Sequence, residues 1–228
     1  MNGAVPRVAV IVFPGTWSER DFVDVAGVLG WQATTIWHAE RTLGEVDAVV
    51  LPGGFAHGDH LRTGAIARFS PVMDAVAEHA AAGGPVVGIC NGFQVLTEAG
   101  LLPGALQKNT GLTFVCDTVE LEVVSTRSVL THRSEPGARL HIPINHFEGN
   151  YVCDPDTLRA LHEDDRIVVR YVDNPNGSID DIAGISNEAG NVVGLMPHPE
   201  RASHALLGSA DGVVLLQSLL ASAERAAV

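Results

Sequence analysis

Val8–Phe13 is a run in which every residue is apolar, closed by Pro14-Gly15. A run with no wet side reads as a central strand of a parallel sheet whose two faces are both covered. Residues 19–29 follow with Phe22, Val25, Ala26 and Leu29 at helical spacing and Gly30 as a stop, and Ala33–Trp37 and Ala48–Leu51 read as the next two strands. Pro52-Gly53-Gly54 ends the third strand. Phe69–Ala82 is an alanine-rich helix closed by Gly83-Gly84, and Pro85–Ile89 is a further buried strand. This order predicts a three-layer α/β fold: a mostly parallel, twisted sheet with helices on both faces. The texture then changes. Phe114–Val124 alternates, and Ile182–Ser186 with Val192–Met196 flank residues 187–190 as a hairpin, so antiparallel strands are expected in the second half. Asp211–Ala223 reads as a closing helix, and with no linker, charge block or fixed-period repeat the chain is expected to form one domain, 1–228.

The 228 residues carry 14 Lys+Arg against 27 Asp+Glu, a net charge of −13, which excludes nucleic-acid binding through a basic surface. Cys90, Cys116 and Cys153 are too few and too widely spaced for a disulfide framework, and no CxxC pair suggests zinc or redox chemistry. The first twelve residues lack a small-residue cleavage site, and no uncharged apolar stretch reaches the roughly 18–20 residues that span a bilayer. A cytoplasmic protein without a membrane partner is the expectation.

Gly88-Ile89-Cys90-Asn91-Gly92 has the form G-x-C-x-G and stands where a buried strand meets a helix expected over Asn91–Ala99. The flanking glycines leave room for a sharp turn that presents the central side chain in a strained conformation at a helix N-terminus. There the unpaired N–H groups and the helix dipole favour a thiolate. The N–H of Asn91 can receive a developing oxyanion, and Gly53-Gly54 can supply a second donor. The competing reading, a core cysteine at a strand end, suits Cys116 and Cys153 better, because neither has glycine flanks.

Acyl transfer by a thiolate needs an imidazole and a carboxylate to orient it. Two segments offer His-x-Glu, His146-Phe147-Glu148 and His198-Pro199-Glu200. Pro197 and Pro199 keep the second segment extended, so that residues two apart face one side, and it follows a strand directly. His198 is therefore preferred as base. His146 stays open, as do a surface pair and a metal site built on both histidines and Cys90.

With these residues in place the sequence resembles the class I glutamine amidotransferases, whose fold is flavodoxin-like. The segments Leu51–Phe55, Gly58-Asp59, Leu61-Arg62, Gly64–Phe69, Cys90–Gln94, Gly100–Gly104, Asn176–Ser178 and Met196–Arg201 are similar to those of the small glutaminase subunits of phosphoribosylformylglycinamidine synthases. The resemblance runs over nearly the whole chain. It implies Cys90 as nucleophile, His198 as general base and acid, and Glu200 as orienting carboxylate. It further implies Gly54 with Asn91 as oxyanion hole, and Gly53, Phe55 and Gln94 in the substrate pocket. Asp59, Arg62, His146, Glu148 and Asn176 fall in segments expected to line the pocket or meet a partner; read physically, Asp59 can equally cap a turn, and Asn176-Gly177 is first a turn signal. The implied substrate is L-glutamine. The implied partners are a large synthetase subunit, which receives ammonia and converts formylglycinamide ribonucleotide to its amidine, and a small accessory subunit. No GxxxxGK[ST] loop occurs, so ATP and magnesium are expected on the synthetase, with no cofactor or metal on this chain.

The chain departs from that pattern at Thr16-Trp17-Ser18-Glu19, at His57 and His60, which replace aromatic residues, and at Phe147, which replaces a glycine. His57 and His60 read most plainly as loop histidines facing water, with added pH sensitivity as the alternative. Two other function classes remain: a stand-alone cysteine hydrolase, and a binding module whose pocket Phe147 and the 16–19 loop have closed.

Overall fold

The computed structural model describes residues 5–226, so the ends of the expected 1–228 domain, and the first residues of the segment read for a cleavage site, lie outside it. Its main sheet has nine strands. Strand β1 (Arg7–Val12) pairs in parallel with β2 (Gln32–Trp37) on one side and β3 (Ala48–Leu51) on the other, and β3 pairs in parallel with β4 (Val86–Ile89). Strands β1, β3 and β4 are buried almost throughout, as their unbroken apolar runs require. β2 is instead a half-exposed edge strand with two threonines at its centre.

The connection from β1 to β2 through helix α1 (Glu19–Val28) runs one way along the sheet, and that from β3 to β4 through helix α2 (Val72–Ala81) runs the other. Right-handed crossovers in opposite directions place their helices on opposite faces. They also make the gap between the ends of β1 and β3 a topological switch point, where loops diverge and leave a crevice. Helix α2 starts three residues later than its alanine pattern suggests. Ser70 precedes Pro71 and is held extended (ψ 138°), because a residue before proline is kept out of the α region.

Strand β11 (Val192–Leu195) lies parallel to β4, and β10 (Ile182–Ser186), β9 (Ile167–Tyr171), β6 (Val115–Val123) and β7 (Arg139–His146) continue the sheet antiparallel. β10 and β11 are the expected hairpin. The edge strand β7 curls back over the strand ends: the carbonyl of Pro143 accepts from the His198 N–H at 2.8 Å, and that of Asn145 lies 3.8 Å from Cys90 Sγ. Helix α3 (Asn91–Glu98) follows β4, β5 (Ala105–Gln107) and β8 (Asn150–Val152) form a two-stranded sheet, and α5 (Gly212–Ala226) closes the chain. Helix α4 (Pro155–Glu163) was not anticipated, although Asp154 caps it and Pro155 opens it in the way such helices start. Leu161 is its one buried side chain, so the helix lies on the surface of the fold.

Candidate active site

Cys90 caps the start of α3 with φ 51° and ψ −107°, a conformation that costs on the order of 1–3 kcal/mol for a residue with a Cβ. The glycines around it are required by contact. A methyl on Gly92 would stand 1.9 Å from the Leu51 carbonyl oxygen, and one on Gly88 would stand 2.6 Å from the Gly92 backbone. Strand β4 therefore passes so close to α3, and α3 to β3, that only hydrogen fits at either position.

Parallel pairing of β4 and β11 aligns Ile89 with Leu195, and the Cys90 N–H donates to the Leu195 carbonyl at 2.8 Å. The residues that follow each strand thus emerge side by side. His198 and Glu200 are buried, with His198 Nδ1 2.6 Å from Glu200 Oε1. The contact is as expected but its geometry differs: Pro199–Arg201 forms a 3-10 turn, so Glu200 reaches His198 by curling back rather than along an extended pleat. A methyl added to Gly53 would stand 2.6 Å from His198 Cε1 and 3.4 Å from Cys90 Cβ, so imidazole and thiol both flank this glycine.

The loop after β1 fixes the Gly53-Gly54 peptide. The Gly53 carbonyl accepts from the N–H of Trp17, the N–H of Ser18 and the Ser18 hydroxyl, each at 3.2 Å. No peptide in the described residues is cis, so the Gly54 N–H points the opposite way from that carbonyl. Ser18, fully buried, is a site residue that sequence reasoning missed, although it stands in a segment that departs from the family pattern. The N–H of Asn91, in the first turn of α3, has no intrahelical acceptor to satisfy it.

Burial works to lower the His198 pKa, but the Glu200 carboxylate and the Cys90 sulfur outweigh it and raise it to about 10. The surroundings of His198 thus favour its protonated form. In Cys90→Ala protein, where only Glu200 still acts in that direction, the His198 pKa measured by NMR is expected to be lower than in the unaltered protein. Adding Glu200→Gln leaves burial dominant and should bring it below 6.5; no drop would mean Glu200 does not hold the proton there.

His146 is nearly as buried and behaves oppositely. Burial and the neighbouring His198 lower it to about 4, so it is neutral. Its Nδ1 faces Asn109 Oδ1 at 3.1 Å. The Asn109 amide nitrogen donates to the Thr113 and His146 carbonyls. Among the described residues no three His, Cys, Asp or Glu side chains are placed to hold a metal ion.

Cys90 opens into a small hollow lined also by Gly54, Phe55, Asp59, Gln94, His146 and Glu148. Gln94 donates to the Glu148 carbonyl at 2.5 Å, and Asn91 Nδ2 donates to Gln94 Oε1 and to Asp59 Oδ1. Phe147 lines the same hollow.

The chain matches the family of CobB/CobQ-like glutamine amidotransferase domains over residues 5–211. It belongs to that family. It is 53% identical over 218 residues to phosphoribosylformylglycinamidine synthase subunit PurQ of Rubrobacter xylanophilus, covering 96% of this chain and 99% of the relative. Among solved structures, PurLQS from Thermotoga maritima superposes with a TM-score of 0.88 at 40% identity, covering 96% of this chain and 99% of that one. A further glutamine amidotransferase from Thermotoga maritima shares the fold at 18% identity, TM-score 0.58, over 97% of each of the two chains.

Other expected residues of this amidotransferase lie elsewhere. Arg62 pairs with Glu98 through two hydrogen bonds, 2.5 and 2.7 Å, on an exposed surface. Asn176, expected at a turn or partner contact, is fully buried: its amide donates to the Gly149 carbonyl at 2.9 Å and its Oδ1 accepts from Ser178. It braces the loop after His146 and cannot touch a partner there. His60 is exposed as expected, but His57 is half-buried, its ring 5.1 Å from that of His38 and 6.5 Å from that of Phe13. The aromatic contacts explain why a planar ring occupies position 57.

Proposed function

We propose that the chain is the glutaminase subunit of a phosphoribosylformylglycinamidine synthase, hydrolysing L-glutamine to glutamate and ammonia. The observation that carries this reading is the meeting of Cys90 and His198 at Gly53, beside a hollow that Gly54 and Gln94 help to line. Cys90 Sγ attacks the side-chain carboxamide carbon, and the charge that develops on oxygen is received by the Gly54 and Asn91 N–H groups. The His198 imidazolium gives its proton to the departing nitrogen, which leaves as ammonia. Water then attacks the thioester, His198 takes its proton, glutamate leaves, and the sulfur anion is restored. Glu200 keeps the imidazolium oriented and stabilised throughout.

Ammonia released into water would be protonated and lost, so the product favours a chain docked to its consumer. The solved Thermotoga maritima structure is that of PurLQS, which supports two partners for this chain, a large synthetase and a small accessory protein. ATP and magnesium belong on the synthetase in this reading, and the chain works as one cytoplasmic domain. A stand-alone hydrolase is less well supported, because the Rubrobacter xylanophilus relative is named as one subunit of a synthase.

The test is glutamine consumption by the chain mixed with its synthetase and accessory partners. His198→Ala should lower kcat by about 10²–10⁴-fold, as loss of a general acid–base group does, while His146→Ala, which removes a neutral ring, should cost far less. The reverse ranking would move the catalytic role to His146, and no turnover by the unaltered complex would end the glutaminase reading.

A further inference from the structure

We propose that Asp59 and Glu148 form the acidic end of the Cys90 hollow and take up the α-ammonium group of the substrate, so that the site selects an α-amino acid amide over other primary carboxamides. The inference rests on the glutaminase reading and adds to it the origin of substrate selectivity.

Asp59 and Glu148 both line the hollow that holds Cys90, near enough for the charge of Glu148 to act on Asp59. Each residue is tied to the helix that follows Cys90, Asp59 through its side chain, whose Oδ1 accepts from Asn91 Nδ2 at 3.2 Å, and Glu148 through its backbone carbonyl, which accepts from Gln94 Nε2. Neither has an ion-pair partner among the described residues. The nearest candidate in sequence, Arg62, is committed to Glu98. Burial and the charge of Glu148 raise Asp59 to about 6, against the opposing hydrogen bond from Asn91, as expected where two acidic side chains stand close without a cation between them. A bound cation relieves that imbalance.

An independent observation also calls for an N–H donor in the hollow. The Asn109 carboxamide oxygen already accepts from the Gly149 N–H and can only accept, so His146 Nδ1 carries the proton toward it. Neutral His146 then presents a bare lone pair at Nε2. That atom is buried without a partner in a ring that lines the hollow. Two carboxylates and one unpartnered imidazole nitrogen are acceptors that an N–H donor can satisfy. L-glutamine presents five N–H bonds, three of them on a cation.

The test uses the assembled synthase with L-glutamine and with 5-amino-5-oxopentanoate, the same amide without its α-amino group. For Asp59→Asn and for Glu148→Gln, kcat/KM for L-glutamine is expected to fall about 10–100-fold, mostly through KM, as loss of a charge-assisted hydrogen bond implies. The value for the des-amino amide should change less than about threefold, so discrimination collapses; if that amide is not turned over, its Ki against glutamine serves instead. Equal losses for both amides would make the two residues mere supports of Asn91 and Gln94, and overturn the proposal. Unaltered synthase inert to glutamine would instead sink the glutaminase reading. Ammonium-driven synthesis by each variant complex shows that it is folded and docked.

Discussion

Replacing Cys90 by alanine is expected to abolish glutamine-dependent synthesis by the assembled enzyme, lowering it by about 10⁴-fold or more, while synthesis driven by added ammonium continues. The size follows from the chemistry: without the sulfur no thioester forms, and neither the Gly54 and Asn91 amides nor His198 can replace a bond-forming atom. Selectivity follows from the structure. Alanine keeps the Cβ that the elbow already accommodates at φ 51°, the Cys90 N–H still donates to Leu195, and the 3.8 Å contact from sulfur to the Asn145 carbonyl is weak. The urea midpoint should therefore move little. Loss of ammonium-driven synthesis as well would place Cys90 in the assembly rather than the chemistry, and surviving glutamine turnover would require another nucleophile.

What was legible in the sequence divides along physical lines. Features set by local sterics could be read from the residues themselves: the buried runs of β1, β3 and β4, the glycine-flanked elbow at Cys90, and the stop of α1 at Gly30. The reach of Glu200 back to His198 was legible in outcome but not in geometry, because Pro199 restricts the chain without saying whether it stays extended or turns. What could not be read depends on non-local pairing. The register of β11 against β4 brings residues 90 and 198 together, and no spacing between them along the chain encodes it. Ser18 looked like a departure from a family pattern, yet its hydroxyl and N–H hold the Gly53 carbonyl from across the switch point. That Asn176-Gly177 is a turn signal could be read, but not that Asn176 is buried with its amide on the Gly149 carbonyl of a loop from another strand.

The packing that brings these elements together yields a second large effect, in which one substitution changes sign with its location. Gly92→Ala raises helix propensity by up to about 1 kcal/mol, the gain expected wherever a helical glycine faces solvent. At position 92 the added methyl would stand 1.9 Å from the Leu51 carbonyl oxygen and 2.8 Å from the Leu51 Cβ. The obstacle is strand backbone, which cannot swing aside as a side chain could, so α3 must lift away from β3. Overpacking of this kind costs about 1–3 kcal/mol, occasionally more, and outweighs the propensity gain. Because Cys90 caps α3 and Asn91 is its first residue, its displacement also moves the proposed nucleophile and oxyanion donor away from His198. Activity should fall further than stability alone explains. Gly27, in α1, meets nothing within 4 Å of an added methyl, so Gly27→Ala is expected to stabilise the fold by a few tenths of a kcal/mol up to about 1. Urea midpoints of the two variants test both signs together. If Gly92→Ala were neutral or stabilising, the close seating of helix on strand would be wrong, and with it the explanation for why the elbow needs its second glycine.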